Sequence, residues 1–381
     1  MMNLPLKGLT VLEFSQYLSG PSAGLRLADL GARVIKIERP QKGDAGRKLA
    51  IKNLWVDDNS LLFHTINRNK ESFTADLKNA DDLAVLKQLI ARADVVIHNF
   101  RPGVMEKTGL GYEAVKELNP KIIYAVISGY GKEGPWKNKP GQDLLLQSMT
   151  GLAFTTGNGT NGPVPFGISI ADILCGSQLV QGILGALIRK QKKGIGALIE
   201  ISLQESLLDF QFELLTTYFA SHQQPQRSKV NNGHSLLGAP YGIYKTADGY
   251  LALAMMDINA LGIAIGCKPL ADFSQEQTFS QRDIIKKILA DHIIAQKTKD
   301  CITLLQREGL WAMEVLDWEQ MMEQQAYQVL EMEQVVHVGE NTITTTRCPI
   351  RINGKRLYID KAAPQLGEHN EKIKRDFLIA G

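Results

Sequence analysis

Residues 8–40 read GLTVLEFSQYLSGPSAGLRLADLGARVIKIERP. The first seven form a short apolar, β-branched run after a turn-prone start, the pattern of a strand. Leu25, Leu27 and Leu30 then fall on one helical face, and Gly31 supplies a stop. ARVIKIE is a second strand, closed by Arg39 and Pro40. Strand, helix and strand in so few residues predict a β-α-β unit with parallel strands and a right-handed crossover.

The pattern continues outward. SFTADLK (72–78), ADVVIHNF (93–100), KIIYAVISGYG (121–131) and GALIEISL (196–203) read as strands. Residues 80–93, 111–119, 173–193 and 204–221 read as helices. Alternation of this kind predicts an α/β fold with a Rossmann-like, doubly wound domain. The stretch 221–240, SHQQPQRSKVNNGHSLLGAP, is polar and reads as a linker or loop. Beyond it lie a hairpin over 241–255 with its turn at Asp248-Gly249, helical stretches to about 333, and strands over 342–352 and 355–359.

With 381 residues, the chain is long for one compact domain and fits two. Forty-three Lys and Arg against 40 Asp and Glu give a net charge of only +3, which argues against wholesale nucleic-acid binding. Cys175, Cys267, Cys301 and Cys348 form no CxxC pair, and the histidines show no HExxH spacing. We therefore expect no metal and a reducing compartment. The N-terminus lacks the long apolar run of an export signal, and the most membrane-like segment, 168–188, contains Asp172, Gln178 and Gln181. The expectation is a cytoplasmic protein that does not span a membrane.

The first strand-to-helix turn invites a dinucleotide reading, with Glu38 where a ribose-binding acid would sit. Its loop is QYLSGPSAG, however, not GxGxxG, and Pro21 lacks the N–H that a pyrophosphate would use. Cations recur after the strands instead: Arg39, Lys70, Lys107, Lys132, Lys137 and Lys139. In an open parallel sheet the strand ends share one edge, so these cations suit a ligand with several phosphates; the plain alternative is scattered, solvated lysines.

Among the acids, Asp172 stands in GISIADILCGSQ, directly before an apolar helix. The commoner reading of that pattern is an N-cap. The functional reading is a carboxylate held as an anion by the helix N-terminus and available as a nucleophile, with Gly167 and Gly176 leaving room for an acyl group. Upstream, Gln142 and Asp143 follow a loop rich in Lys and Pro. GxSxG does not occur, which weakens a serine-hydrolase reading.

In order along the chain, LKGLTVLEF, SGPSAGLRLADLGARVIKIERP, KGDAGR, NRNKESFTADLK, ADVVIHNFRPG, NPKIIYAVISGYG, GQDLLLQSMTGL, ADILCG and APQLGEHNEKI resemble the class III CoA-transferases. This group includes the formyl-CoA, carnitine and bile-acid-inducible types. The resemblance runs nearly end to end. It implies a large Rossmann-like domain over 1–222, a smaller α+β domain over 223–333, and a C-terminal segment, 334–381, that returns to the large domain. It also implies an interlocked homodimer and a fold that holds coenzyme A, as acyl-CoA, rather than NAD.

Carried over by motif, Asp172 matches the nucleophile. Gln16, Tyr17, Leu18, Arg39, Lys70, Asn99, Phe100 and Lys107 match CoA-contacting positions, with Lys107 where the best-known member has Arg. Lys139 joins these as a cofactor-binding candidate, and Gln142 and Asp143 as candidates for substrate contact and for orienting the site. That best-known member has a run of glycines over its site. Here the matching loop, 231–240, has only Gly233 and Gly238, which speaks against its oxalate specificity. Racemase relatives use a His-Asp proton pair; the corresponding tripeptide here is Gly141-Gln142-Asp143, and glutamine exchanges no proton at neutral pH.

The expected reaction passes CoA from an acyl-CoA to a small carboxylic acid through aspartyl anhydride and aspartyl-CoA intermediates. The rivals are an acyl-CoA racemase or epimerase, told apart by α-proton exchange without an acceptor acid, and a non-catalytic CoA-ester binding protein, told apart by binding without turnover.

Overall fold

A computed structural model describes residues 4–378. The chain divides into two compact units. The larger comprises residues 1–146, 169–207 and 330–381; the smaller comprises 147–168 and 208–329.

The larger unit opens with β1 (Thr10–Glu13), α1 (Ser19–Asp29) and β2 (Arg33–Glu38), the β-α-β unit legible in residues 8–40. A two-residue hairpin, β3 (Trp55–Val56) and β4 (Asn59–Ser60), leads into α2 (Leu61–Asn67) and β5 (Glu71–Thr74). Next come α3 (Ala80–Arg92), β6 (Val95–His98), α4 (Val104–Lys107), α5 (Tyr112–Leu118) and β7 (Ile123–Ser128). Then follow α6 (Asp143–Met149), α7 (Ile170–Lys193), β8 (Ala197–Ser202) and α8 (Leu203–Phe210).

Six strands form one sheet in the order β5-β2-β1-β6-β7-β8, and every neighbouring pair is parallel. The order runs outward in both directions from β1 and β6, so the sheet has a topological switch point between them. Alternation along each strand sends Leu12, Ile35, Phe73 and Val96 to one face. There they pack with Leu86, Leu89 and Ile90 of α3, Val115 of α5, and Ile373 and Phe377 of the C-terminal helix. That helix returns the last described residues to the sheet that the first strand began.

Helix α7 has the length and apolarity of a membrane span. Its buried residues, among them Ala171, Cys175, Gly176, Leu179 and Ile183, pack instead against α1 and the sheet.

In the smaller unit, α9 (Phe212–Ser221) precedes a three-stranded antiparallel sheet of β9 (Gly242–Lys245), β10 (Tyr250–Leu253) and β11 (Ala312–Glu314). Helices α10 (Ile258–Ile265), α11 (Gln277–Ser280), α12 (Arg282–Ile293) and α13 (Thr298–Arg307) surround it, with Tyr244, Leu251, Leu261, Ile285 and Leu289 in its core.

Residues 147–168 and 208–222 belong with this unit rather than with an uninterrupted 1–222 domain. The glycine-rich stretch is tied down locally: the Arg227 guanidinium donates to the carbonyls of Thr156, Asn161 and Gly162, and Asn232 bonds to residues 157 and 158.

Three elements differ from the sequence reading, one of them β11, a strand inside the stretch read as helical. The helix expected over 204–221 is broken at Gln211, whose buried side chain donates to the Thr150 carbonyl. The strand expected over 342–352 is two strands, Asn341–Thr346 and Cys348–Ile352. Between them the buried Arg347 donates to the carbonyls of Glu331, Leu330 and Cys348, which turns the chain.

Candidate functional site

The C-terminal ends of β1, β6 and β7 open onto a cleft of about 640 Å³ at the switch point, where ligands of open α/β sheets gather. One pair of residues bridges the switch. The Gln16 backbone N–H donates to Asn99 Oδ1 at 2.9 Å, and Asn99 Nδ2 donates to the Gln16 carbonyl at 2.7 Å. This exchange fixes the loop after β1 to the loop after β6. Gln16, Tyr17, Leu18, Asn99, Phe100 and Lys139 all line the cleft, as do Gln142, Asp143 and Asp172.

The walls reach Asp172 because two glycines let the chain close. A Cβ on Gly129 would lie 3.0 Å from the Gly141 Cα, and one on Gly141 would lie 2.8 Å from the Gly129 Cα. The loop before α6 therefore folds directly over the end of β7 and delivers Gln142 and Asp143.

Asp172 is not the N-cap of α7. That place belongs to Ser169, whose side chain makes no capping bond, and Asp172 sits in the first turn. Asp143 takes over the capping instead, accepting the Ala171 N–H at 2.7 Å. The division of labour leaves the Asp172 carboxylate to face the cleft, which Ser19 also lines. Burial, and then the nearby Asp143 charge, push its pKa up to about 6, while Ser19 pulls the other way. The group is a carboxylate at neutral pH, yet a more basic one than an ordinary aspartate.

Gly176, one turn on, makes no room for an acyl group. A Cβ there would lie 2.6 Å from the Ser19 carbonyl oxygen and 2.4 Å from Ser22 Oγ, so the missing side chain admits α1 itself.

The cations divide. Lys137 and Lys139 line the cleft, together with Arg101. Arg39 and Lys107 are exposed and lie outside its lining. Lys70 is a correction: its side chain is 0% exposed and cannot meet a phosphate. Its ammonium is held by Glu13 at 2.8 Å, the Pro21 carbonyl and Asn67. Burial lowers its pKa to about 8, with Glu13 opposing.

Lys70 is one end of a buried charge chain that sequence spacing did not reveal. Glu13 also pairs with Lys36 at 3.0 Å, and Lys36 pairs with Asp44 at 2.7 Å. Burial alone would lower Lys36, but Glu13, Asp44 and Glu38 outweigh it and raise its pKa. Asp44 Oδ1 accepts the backbone N–H groups of Tyr17 and Gly46, two residues of the cleft wall. It thereby pins Tyr17 at φ 65°, a left-handed conformation uncommon for a bulky residue. The KGDAGR motif is thus a brace: Asp44 holds the cleft loop, while the Arg47 guanidinium pairs with Glu38 at 2.7 Å and donates to the Pro364 carbonyl.

The sequence reading also missed the apolar wall of Leu49, Ile51, Leu62 and Ile66, contributed by a segment with no strand or long-helix signature. A second cavity of about 390 Å³ lies behind the wall of residues 100–103. Its histidine, His98, is held neutral, with a pKa pushed down to about 4 by burial. We assign no step to it.

Known proteins resemble the chain over nearly its whole length. CoA-transferase family III matches residues 6–370. Succinate–glutarate CoA-transferase of Agrobacterium fabrum is 33% identical, with 97% of this chain and 94% of that protein covered. Succinyl-CoA–D-citramalate CoA-transferase of Chloroflexus aurantiacus is 32% identical over 98% and 94%. The crystal structure of a CAIB/BAIF family protein from Brucella suis superposes with a TM-score of 0.85 at 31% identity, covering 99% of this chain and 100% of that one.

The chain belongs to CoA-transferase family III. It is an enzyme that moves CoA between an acyl-CoA and a carboxylic acid.

Proposed function

We propose that Asp172 carries the transfer covalently. The observation that carries this reading is a raised, half-buried carboxylate in the lining of a cation-lined cleft at the sheet's switch point. Asp172 attacks the thioester carbonyl of the donor, and CoA leaves as its thiolate, giving a mixed anhydride. The thiolate attacks the aspartyl carbonyl, releasing the first acid and leaving an aspartyl-CoA thioester. The acceptor carboxylate then displaces the thiolate to form a second anhydride. Attack of the thiolate on the acceptor's acyl carbonyl releases the new acyl-CoA and regenerates Asp172. Every intermediate keeps the activation of the thioester, which a hydrolase would discard to water.

A carboxylate with a pKa of about 6 suits this chemistry: it is ionised at neutral pH and more nucleophilic than an unperturbed aspartate. The N-termini of α1 and α7 both supply residues to the cleft and favour anions there. Lys137 and Lys139 are placed to bind phosphate or carboxylate groups of substrate, while Arg39 and Lys107 are exposed outside the cleft lining. Gln142 donates to a substrate carboxylate, and Asp143 orients α7. In the racemase reading Gln142 would replace a proton-transfer histidine, and it offers no base.

We take the acceptor to be a short dicarboxylic acid. Two relatives act on such acids by name, and the cleft offers Lys137, Lys139 and Arg101 for a second carboxylate. The working form is a homodimer in the cytoplasm. The resemblance supports the first, and four unpaired, buried cysteines accord with the second.

The test is a matrix of acyl-CoA donors against carboxylic acids, read by mass spectrometry of the new thioester. Succinyl- or glutaryl-type pairs should turn over fastest, and Asp172→Ala should turn over none. Turnover by Asp172→Ala would overturn the covalent route, and a preference for monocarboxylic acids would overturn the substrate class.

A further inference from the structure

The chain that enters α7 has little to fix it. Phe166, Gly167, Ile168 and Ser169 are exposed, and a Cβ on Gly167 would meet nothing within 4 Å. Ser169 makes no capping bond. Three residues on, Ala171 is fully buried, and Asp172 follows it. The restraint comes from α6. Asp143, its first residue, accepts the Ala171 N–H at 2.7 Å. Gln147, one turn further on and only 2% exposed, takes the exposed segment. Its Oε1 accepts the Phe166 N–H at 2.8 Å, while its Nε2 donates to the carbonyls of Phe166 at 3.4 Å and Ile168 at 3.3 Å. Positions four apart share a helix face, so one face of α6 grips the main chain at residues 166, 168 and 171.

We propose that Gln147 is a positioning residue: its buried amide fixes the main chain leading into α7 and so sets where the Asp172 carboxylate stands against the thioester.

This rests on the covalent reading of Asp172. Attack needs the carboxylate within a narrow range of distance and angle, and a displacement of about 1 Å can cost about a hundredfold in rate. Gln147 lies outside the cleft lining, so the loss belongs in kcat rather than in the binding of acyl-CoA. Its amide carries no titrating proton, so it acts through geometry alone.

The experiment compares wild type, Gln147→Met and Gln147→Glu. Methionine keeps the length and removes every bond of the amide. Glutamate keeps the acceptor for the Phe166 N–H and loses the bonds donated to the two carbonyls. One readout is kcat and KM of the folded enzyme; the other is amide hydrogen exchange over residues 166–172 without substrate, which needs no turnover. Gln147→Met should lower kcat by about tenfold or more, leave KM for acyl-CoA within about twofold, and speed exchange across that segment. Gln147→Glu should lose less and keep the Phe166 amide protected. A residue that merely stabilises the fold would lower the unfolding temperature and leave kcat of the folded enzyme unmoved. Unchanged kcat in either folded variant, or a loss taken up in KM alone, would overturn the proposal. Trapping wild type with acyl-CoA and hydroxylamine separates the two ideas: no adduct on Asp172 refutes the covalent reading, whatever the exchange shows.

Discussion

Replacing Asp172 with asparagine should destroy transfer and stabilise the protein. The carboxyl pKa is pushed from 3.8 to about 6, by burial first and by Asp143 second. At about 1.4 kcal/mol per pH unit, ionising the group within the fold costs at most about 3 kcal/mol. The side chain keeps partial access to water, and screening reduces that to about 1–2 kcal/mol. Asparagine keeps the shape, and it replaces the repulsion of Asp143 with a donor. The gain depends on pH in a defined direction. Below about pH 4 the carboxyl is protonated in both folded and unfolded chains, and the variant gains nothing. As pH rises from about 4 to 6 the unfolded chain releases the proton while the fold retains it, so wild type loses stability. Above about 6 the difference is complete. Thermal unfolding at pH 8 should show the variant higher by about 1–3 °C, with the gap closing at pH 4. A variant less stable than wild type at pH 8, or a gap that ignores pH, would refute this account of the site's electrostatics.

Asp143→Asn should move the acid limb of kcat/KM downward, because it removes the like charge beside Asp172. The same change should weaken the cap of α7 by about 0.5–1 kcal/mol, measurable by denaturant unfolding. Lys70→Met should cost about 3–5 kcal/mol in the same assay by leaving Glu13 buried with one cation fewer. Lys139→Ala, at an exposed position, should leave stability within about 0.5 kcal/mol and raise KM for acyl-CoA, with a weaker dependence on salt. Gly176→Val should separate α1 from α7, costing about 1–3 kcal/mol and lowering kcat by shifting the turn that carries Asp172.

The fold was legible wherever a local period carried it. Residues 8–40 alternate and repeat as a strand, a helix and a strand should, and β1, α1 and β2 lie within that stretch. The three cleft loops follow from that topology, since the ends of parallel strands must share an edge, and Lys139 could be placed by it, whereas Gln16 and Asn99 were matched only through the family resemblance. What periodicity does not carry is pairing over distance. Lys70 reads as an exposed cation at a strand start until Glu13, on another strand, claims it. Asp172 reads as a cap until Asp143, reaching in from the loop before α6, takes the Ala171 N–H. Arg347 looks like one more strand residue, although three carbonyls bend the chain around it. Each of these depends on a partner brought close only by the assembled sheet.

The most direct measurement is the mass of the chain, quenched in acid after mixing with acyl-CoA and no acceptor acid, and mapped by peptide. The account predicts a CoA-sized or acyl-sized gain on the peptide carrying Asp172, lost on adding the acceptor. An unmodified peptide from enzyme that transfers CoA once acceptor is supplied, or a gain on any other residue, would contradict it.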